Sequence, residues 1–364
     1  MKILIYLGHP AQYMFLRETI NQLSRKGIKL RILIKTKDIL ETLLQNDNQL
    51  YTNVLVKQRG NSIISIFTSF LKRIYNVYHQ TLLFKPNIMI GTDSSIAIVG
   101  KLLHVHRITI TEDDYEVIKL LGDLTYPFTE TILCPNICKV GKWDYKKIGY
   151  DGYMKLGYLH PNVFKLNTQS ITKYNLPLKY SIIRLSQLVA YHDKNIDGID
   201  NQFLDQIIMM LHDESYSVFI SAESSIHSRY EKYLLNINPN DMHQVLAHSS
   251  ILISDSQSMS VEASLLGIPS IRISSFAGKI SVLEELEHQY RLTYGIDPKY
   301  PEKIIRQLKQ LLYTKNIKSK FANRQSKMIT DKIDVTAFLV WFLDNYPKSI
   351  QTISNNPQYL TKFK

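Results

Sequence analysis

Residues 250–274 read SILISDSQSMSVEASLLGIPSIRIS, and the order of residue types in this stretch decides the fold. Ile251, Leu252 and Ile253 form a short continuous apolar run, as expected of a strand covered on both faces in a parallel sheet, and residues 268–273 form another. Between them Asp255 and Ser256 are N-cap residue types. Met259, Glu262, Ala263 and Leu266 then recur at helical spacing until Gly267 supplies the stop and Pro269 forbids continuation. A helix therefore starts just past the carboxyl end of a strand. In a parallel α/β sheet that is where ligands sit, and the amides of the first helical turn offer a site for an anion such as a diphosphate. Asp255, Ser256, Gln257, Ser258 and Met259 surround that turn. Glu262, one turn beyond Ser258, is placed to accept hydrogen bonds from sugar hydroxyls. An ordinary capped βαβ unit carries the same local signals, because caps are far commoner than phosphate sites.

Working outward, the first half alternates strand and helix. Strands are predicted at 2–7, 29–35, 54–57, 87–91 and 106–111, and helices at 11–25, 37–45, 63–84 and 94–103, a repetition that argues for a parallel, doubly wound sheet. The long segment 63–84 presents Ile63, Ile64, Phe67, Phe70, Leu71, Ile74, Val77 and Tyr78 as a wide apolar surface with Lys72 and Arg73 near its middle. It reads as a core helix, with docking to a membrane or a lipid-linked acceptor as the other reading. From 145 to 178, Gly149, Gly152, Gly157, Pro161 and Pro177 interrupt every helical pattern and mark the connection between domains. A strand at 180–185 opens a second alternating series that runs through the central stretch. An apolar helix at 335–343 and a polar tail expected to fray close the chain.

Composition bounds the function. Of 364 residues, 45 % are hydrophobic, as in a globular chain, and the length suffices for two domains. Lys plus Arg number 44 against 32 acidic residues, a net charge of +12 that favours an anionic partner. No Lys/Arg-rich run of nucleic-acid type occurs, which sets nucleic acid behind phosphorylated substrates and an anionic membrane surface. Two cysteines, Cys134 and Cys138, have no second ligand pair nearby and read as reduced structural thiols. Residues 1–7 are too short an apolar run for a signal peptide, and no apolar run reaches membrane-spanning length. The expected location is cytoplasmic, with peripheral attachment to the inner face of the cell membrane.

Several loops at strand ends carry candidate chemistry. His9, in Gly8-His9-Pro10 after the first strand, is placed to act as general base on an acceptor hydroxyl, or is a loop histidine bonded to backbone. Asp93 is a helix cap with a ligand role open to it. Glu112, Asp113 and Asp114 form an acidic cluster suited to sugar hydroxyls or acid/base work, or else a solvated first turn of the next helix. In the second series Arg184 can neutralise a diphosphate, and His192 can donate to it or act as an acid, although both also fit a surface loop.

Asp255-Ser256, Glu262-Ala263 and Leu266-Gly267-Ile268-Pro269 together resemble the nucleotide-sugar signature of GT-B glycosyltransferases and of UDP-N-acetylglucosamine 2-epimerases. The resemblance implies that Ser256 and Ser258 lie at the diphosphate and that Glu262 binds the ribose. The epimerases have two glycines where this chain has Gln257 and Ser258, so the backbone cannot approach a ligand in the same way. A second resemblance covers nearly the whole chain. Leu7-Gly8-His9-Pro10-Ala11-Gln12-Tyr13, Gly157-Tyr158-Leu159-His160-Pro161-Asn162, Arg184 with Ala190-Tyr191-His192-Asp193, and the central motif look like the bacterial and archaeal family called domain of unknown function 354. That family name implies a GT-B-like fold with no settled reaction.

The expectation is an α/β chain of GT-B-like fold, two Rossmann-like doubly wound parallel-sheet domains facing a central cleft. Residues 1–160 form the acceptor domain, 161–179 a linker, 180–345 the nucleotide-sugar domain and 346–364 the tail. The expected activity is transfer of a sugar from a nucleotide sugar, UDP-linked, to a polysaccharide or lipid-linked acceptor, with no cofactor and, as the resemblance implies, no metal. His9, Glu112, Asp93 and His192 are the catalytic candidates. Arg184, Asp255, Ser256, Gln257, Ser258, Met259 and Glu262 are the binding candidates. UDP-sugar 2-epimerisation or hydrolysis, which Asp93, Glu112 and His192 favour, and a non-catalytic nucleotide-sugar-binding scaffold are the alternatives.

Overall fold

A computed structural model describes residues 1–37, 39–56, 62–186, 199–223 and 225–364. The chain divides into two compact units, one of residues 1–163 with 332–364 and the other of residues 164–331. Each is a parallel α/β sandwich, and each has a point where the strand order reverses.

The first unit runs β1 (Lys2–Leu7), α1 (Pro10–Arg25), β2 (Lys29–Lys35), α2 (Leu40–Asn46), β3 (Tyr51–Leu55), α3 (Ile63–Phe84), β4 (Ile88–Gly91), α4 (Ser94–Leu102), β5 (His106–Ile110), α5 (Lys119–Thr125), β6 (Thr131–Pro135), β7 (Lys147–Tyr150) and α6 (Leu156–Leu159). Its seven parallel strands lie in the order β3-β2-β1-β4-β5-β6-β7, the Rossmann order extended by one strand. Ile5 of β1 pairs in register with Ile32 of β2 on one side and Ile90 of β4 on the other. Strands covered on both faces must be apolar throughout, and residues 3–7 of β1 are all buried. Leu4, Tyr6, Leu33 and Met89 pack with Val77 of α3 and with Ile96 and Val99 of α4. By strand alternation Ile3, Ile5 and Leu7 face the opposite layer.

Two features of this unit depart from the sequence expectation. Strand β7 and helix α6 form, inside the expected first domain, where the glycine-interrupted stretch reads as loosening toward the connection. At Gly149 in β7 the Asn136 side-chain oxygen occupies the place of a Cβ, 1.9 Å away, so a larger residue there would displace the Asn136 side chain. At Gly157 a Cβ would stand 2.7 Å from the Phe15 carbonyl, so this glycine marks the close approach of α6 to α1. Helix α3 also buries only part of the apolar surface expected to lie in the core, for Ile64, Phe67 and Leu71 are exposed.

The second unit runs α7 (Gln169–Thr172), β8 (Tyr180–Leu185), α8 (Asn201–Asp213), β9 (Ser217–Ala222), α9 (Met242–His248), β10 (Ile251–Ser254), α10 (Gln257–Leu265), β11 (Ser270–Ile273), α11 (Ser281–Glu284), β12 (Thr293–Ile296), α12 (Pro301–Leu312) and α13 (Ile317–Asp331). The strand order β12-β11-β10-β8-β9 is the other common doubly wound arrangement, with its reversal between β8 and β10. The central stretch folds as its residue types dictate. Ser256 caps α10 by accepting from the Met259 amide at 3.3 Å. Gly267, at φ +72°, closes it with the paired bonds Ile268 N–H to Ala263 C=O and Gly267 N–H to Ser264 C=O.

After α13 the chain completes the first unit with α14 (Val335–Asp344) and α15 (Lys348–Asn355). The expected boundary at 345 and the expected frayed tail differ from this arrangement. Phe338, Leu339, Phe342 and Leu343 are buried, and α14 packs against α1 and α6. Trp341 stacks on Tyr359 at 4.7 Å between ring centroids, and the Asp334 amide donates to the Phe363 carbonyl at 2.6 Å, which fastens the final residues.

Candidate functional site

In the first unit the strand order reverses between β1 and β4, and the loops that follow these strands wall a cavity of about 250 Å3. Loop Gly8-His9 and loop Thr92 are locked together by Gln12. Its side-chain oxygen accepts from the Gly8 amide at 2.7 Å, and its side-chain nitrogen donates to Thr92 Oγ1 at 2.5 Å. His9 and Glu112, predicted separately from loops after the first and fifth strands, both line this cavity, together with Asp113 and Lys155.

The local contacts assign different capacities to these groups. His9 is the N-cap of α1, and its Nδ1 accepts from the Ala11 amide at 3.2 Å. A neutral ring with this contact carries its proton on Nε2. Glu112 is buried; its Oε1 accepts from the Met154 amide at 2.5 Å and its Oε2 is paired with the Lys155 ammonium. Asp114 Oδ1 accepts from the Lys139 amide at 2.8 Å. Asp113 differs from both neighbours. Its surface is accessible, yet it lies in the concave cavity wall with protein around it, so desolvation pushes its carboxyl above the usual range. The negative charge of Glu112 adds to that rise, while Lys155 opposes it.

Asp93 is not among the cavity residues. Its carboxylate caps α4 through the Ser95 amide at 2.9 Å and pairs with Arg73 Nε of α3 at 3.1 Å. His192 lies outside the described residues. Cys134 on β6 and Cys138 just after it are buried free thiols, where desolvation raises Cys134 to about 12 and also raises Cys138. The Cys138 thiol donates to the Glu112 carbonyl at 3.0 Å and so braces the cavity wall from behind.

In the second unit Asp255 bridges the reversal between β8 and β10, accepting from the Ser186 amide at 2.7 Å and its hydroxyl at 2.8 Å. Ser256, Gln257 and Ser258 follow at the half-buried start of α10, where the Gln257 and Ser258 amides have no acceptor within the helix. Met259 turns inward and packs with Tyr180, Ile182 and Leu252. Glu262 is buried near His243 of α9, with Oε1 to Nε2 at 3.4 Å. Arg184, at the end of β8, donates to Ser221 Oγ at 2.8 Å and is paired with Glu223, so its charge is already matched within the unit.

Sequence reasoning overlooked Arg272. This arginine on β11 is fully buried, and its Nη1 donates to the Gln257 side-chain oxygen at 2.8 Å. The Gln257 side-chain nitrogen is bonded to Ser274 Oγ, so the residue that stands in place of a glycine is held from beneath. Desolvation of the buried guanidinium is the main cause that lowers the Arg272 pKa, opposed by Glu287 and Glu284 at 3.9 and 3.7 Å. A Cβ at Gly295 would stand 2.4 Å from Arg272 Nη2, which explains why the facing strand has no side chain there. An arginine inside a strand of apolar neighbours was the available signal. Glu284, Glu287 and His288 are the only group of three metal-ligand types clustered among the described residues, and the Arg272 guanidinium already lies against two of them.

No family model matches the sequence, that of domain of unknown function 354 included, and no curated protein matches it. Solved structures do share its fold. UDP-GlcNAc 2-epimerase from Neisseria meningitidis, solved bound to UDP-GlcNAc, aligns with a TM-score of 0.68 at 15 % identity over 94 % of this chain and 99 % of that one. The UDP-GlcNAc 2-epimerase from Methanocaldococcus jannaschii aligns with a TM-score of 0.64 at 14 % identity over 90 % of this chain and 99 % of that one. The glycosyltransferase of kitacinnamycin aligns with a TM-score of 0.58 at 11 % identity over 94 % of this chain and 98 % of that one. The chain therefore has the GT-B-like fold of two Rossmann-like parallel-sheet domains that UDP-sugar epimerases and glycosyltransferases share.

Proposed function

We propose that the protein is a nucleotide-sugar-dependent glycosyltransferase. The observation that carries this reading is that each unit keeps polar groups at its own strand-order reversal. An anion-suited helix start stands at one, and a carboxylate-lined cavity at the other. The neighbouring epimerases are named for UDP-sugars, and a UDP-linked sugar is the donor proposed here. The amides of Gln257 and Ser258 and the Ser256 and Ser258 hydroxyls hold the diphosphate, and Glu262 accepts from the ribose hydroxyls. Arg184 joins them by exchanging Glu223 for phosphate. Charge on the leaving diphosphate is thus met by protein dipoles and a guanidinium, with no metal assigned a role.

The acceptor hydroxyl enters the cavity of the first unit and is the glycan or lipid-linked partner of the reaction. Its oxygen forms a bond to the anomeric carbon as the bond from that carbon to the diphosphate breaks, and its proton passes to a carboxylate. Asp113 takes that proton in this reading, with its basicity raised by its surroundings. Glu112, held by Lys155, fixes the wall, and His9 donates from Nε2. The second reading, UDP-sugar 2-epimerisation or hydrolysis, is favoured by the same cavity carboxylates acting without an acceptor.

Replacing Glu262 by Ala tests the donor site. The expected result is at least about a tenfold loss of UDP affinity by calorimetry in protein that still melts in a cooperative transition, the scale of one charged hydrogen-bond partner removed. Retained affinity would remove the donor site. Incubation with a panel of nucleotide sugars, followed by proton NMR, separates the reactions. Stable anomeric signals until an acceptor is added support transfer, whereas a 2-epimer or free UDP formed without acceptor supports the second reading.

A further inference from the structure

Helix α3 spans 22 residues, or about 33 Å at 1.5 Å per residue. One side is fastened to the first unit. Ile74, Val77 and Tyr78 join the core, Asn76 donates to the Val54 carbonyl at 2.7 Å, and Arg73 is held by Asp93. The other side breaks the usual rule for a surface helix. Ile64, Leu71, Tyr75 and Leu82 recur within about 40° of one another around the axis at 100° per residue, and Phe67 flanks them. These five are 45–77 % exposed. A helix in an α/β domain normally turns polar residues outward, so an apolar stripe along its solvent side is an unpartnered surface.

Charge says what covers it. Between Asp47 and Asp93 the sequence contains no Asp or Glu. Lys72 and Lys85 are exposed beside the stripe, and Lys2 and Arg31 stand over the Phe84 ring at its far end, at 5.6 and 4.7 Å. An apolar stripe edged by cations, with aromatic rings at Phe67 and Tyr75 and no carboxylate to repel phosphate, has the composition of a helix that lies in the plane of an anionic lipid surface. Among the described residues no helix is long and apolar enough to cross a membrane. We infer that α3 docks the first unit on an anionic phospholipid bilayer, with Ile64, Phe67, Leu71, Tyr75 and Leu82 entering the interface and Lys72 and Lys85 reaching the head groups. Docking of this kind does not depend on the transferase reading, and the assay below reads no activity.

The test is co-sedimentation of the full chain with vesicles of equimolar phosphatidylglycerol and phosphatidylcholine, and with phosphatidylcholine alone. The wild type should sediment with the anionic vesicles and stay in solution with the neutral ones. Leu71→Ser with Tyr75→Ser should weaken binding by about tenfold or more, the scale of two large apolar side chains kept from the interface. Lys72→Glu should weaken it as well, and both variants should melt with the wild type because the altered side chains are exposed. Failure of the wild type to bind, equal binding to neutral vesicles, or undiminished binding by folded variants would overturn the inference. So would a dimer in sedimentation velocity that the double variant loses, since a second copy would then cover the stripe.

Discussion

Asp113 shows how far single residues can be read. The sequence displays three adjacent carboxylates, and their fates separate only through partners far along the chain: Met154 and Lys155 for Glu112, and the Lys139 amide for Asp114. Asp113 is left facing the cavity with a raised pKa. A carboxyl raised in the folded state favours folding while protonated, and that contribution is lost as pH climbs past its folded pKa. Asp113→Asn should therefore melt higher than the wild type at neutral pH, with the difference closing as pH falls below the ordinary aspartate value of about 3.9. An Asn variant that melts lower at neutral pH would mean a stabilised carboxylate and would remove Asp113 as the base. Under the transferase reading the same change should lower kcat by about 10²–10⁴-fold with KM little altered. His9 teaches the same lesson in reverse. Its position at the sheet edge is legible, but the contact of Nδ1 with the Ala11 amide depends on the turn that puts it at the N-cap.

At the scale of elements, α10 is the best-read part of the chain. Its cap, periodicity and glycine stop are local chemistry, and local chemistry stands in the sequence. Ser256→Ala should cost about 1 kcal/mol in chemical unfolding, the usual effect of losing a side-chain cap, and should weaken UDP binding as well. Unfolding at the wild-type midpoint would show that the Met259 amide finds another acceptor. What surrounds α10 was less visible. Gln257 is held by Arg272, 15 positions later, because β10 and β11 pair in parallel and bring the helix start over the next strand. Helix α3 is the counterpart: its extent, Ile63–Phe84, follows from the sequence, but which of its apolar faces is covered does not. Apolar content predicts burial only when the neighbouring layer is known.

At the scale of the molecule, the chain leaves its first unit and returns to it. Residues 332–364 supply α14, which covers α1 and α6, with Thr336 Oγ1 donating to the Gly157 carbonyl at 2.9 Å. A chain ending at Asp331 should therefore lose the melting transition of the first unit and become protease-sensitive across residues 1–163, while residues 164–331 stay protected. Melting of the shortened chain like the full one would show that α14 is dispensable. By itself the sequence determined the α/β alternation, the two Rossmann-like units, and the cap and stop of the central helix, because these rest on periodicity and on residues a turn or two apart. The cap that Asp93 forms on α4 is equally local, whereas the tertiary structure decided which carboxylate faces the cavity, that Asp93 also pairs with Arg73, that Met259 turns into the core, and that the last residues belong with the first. Each of those outcomes depends on partners brought together by parallel strand pairing or by chain return, at separations over which residue spacing carries no signal.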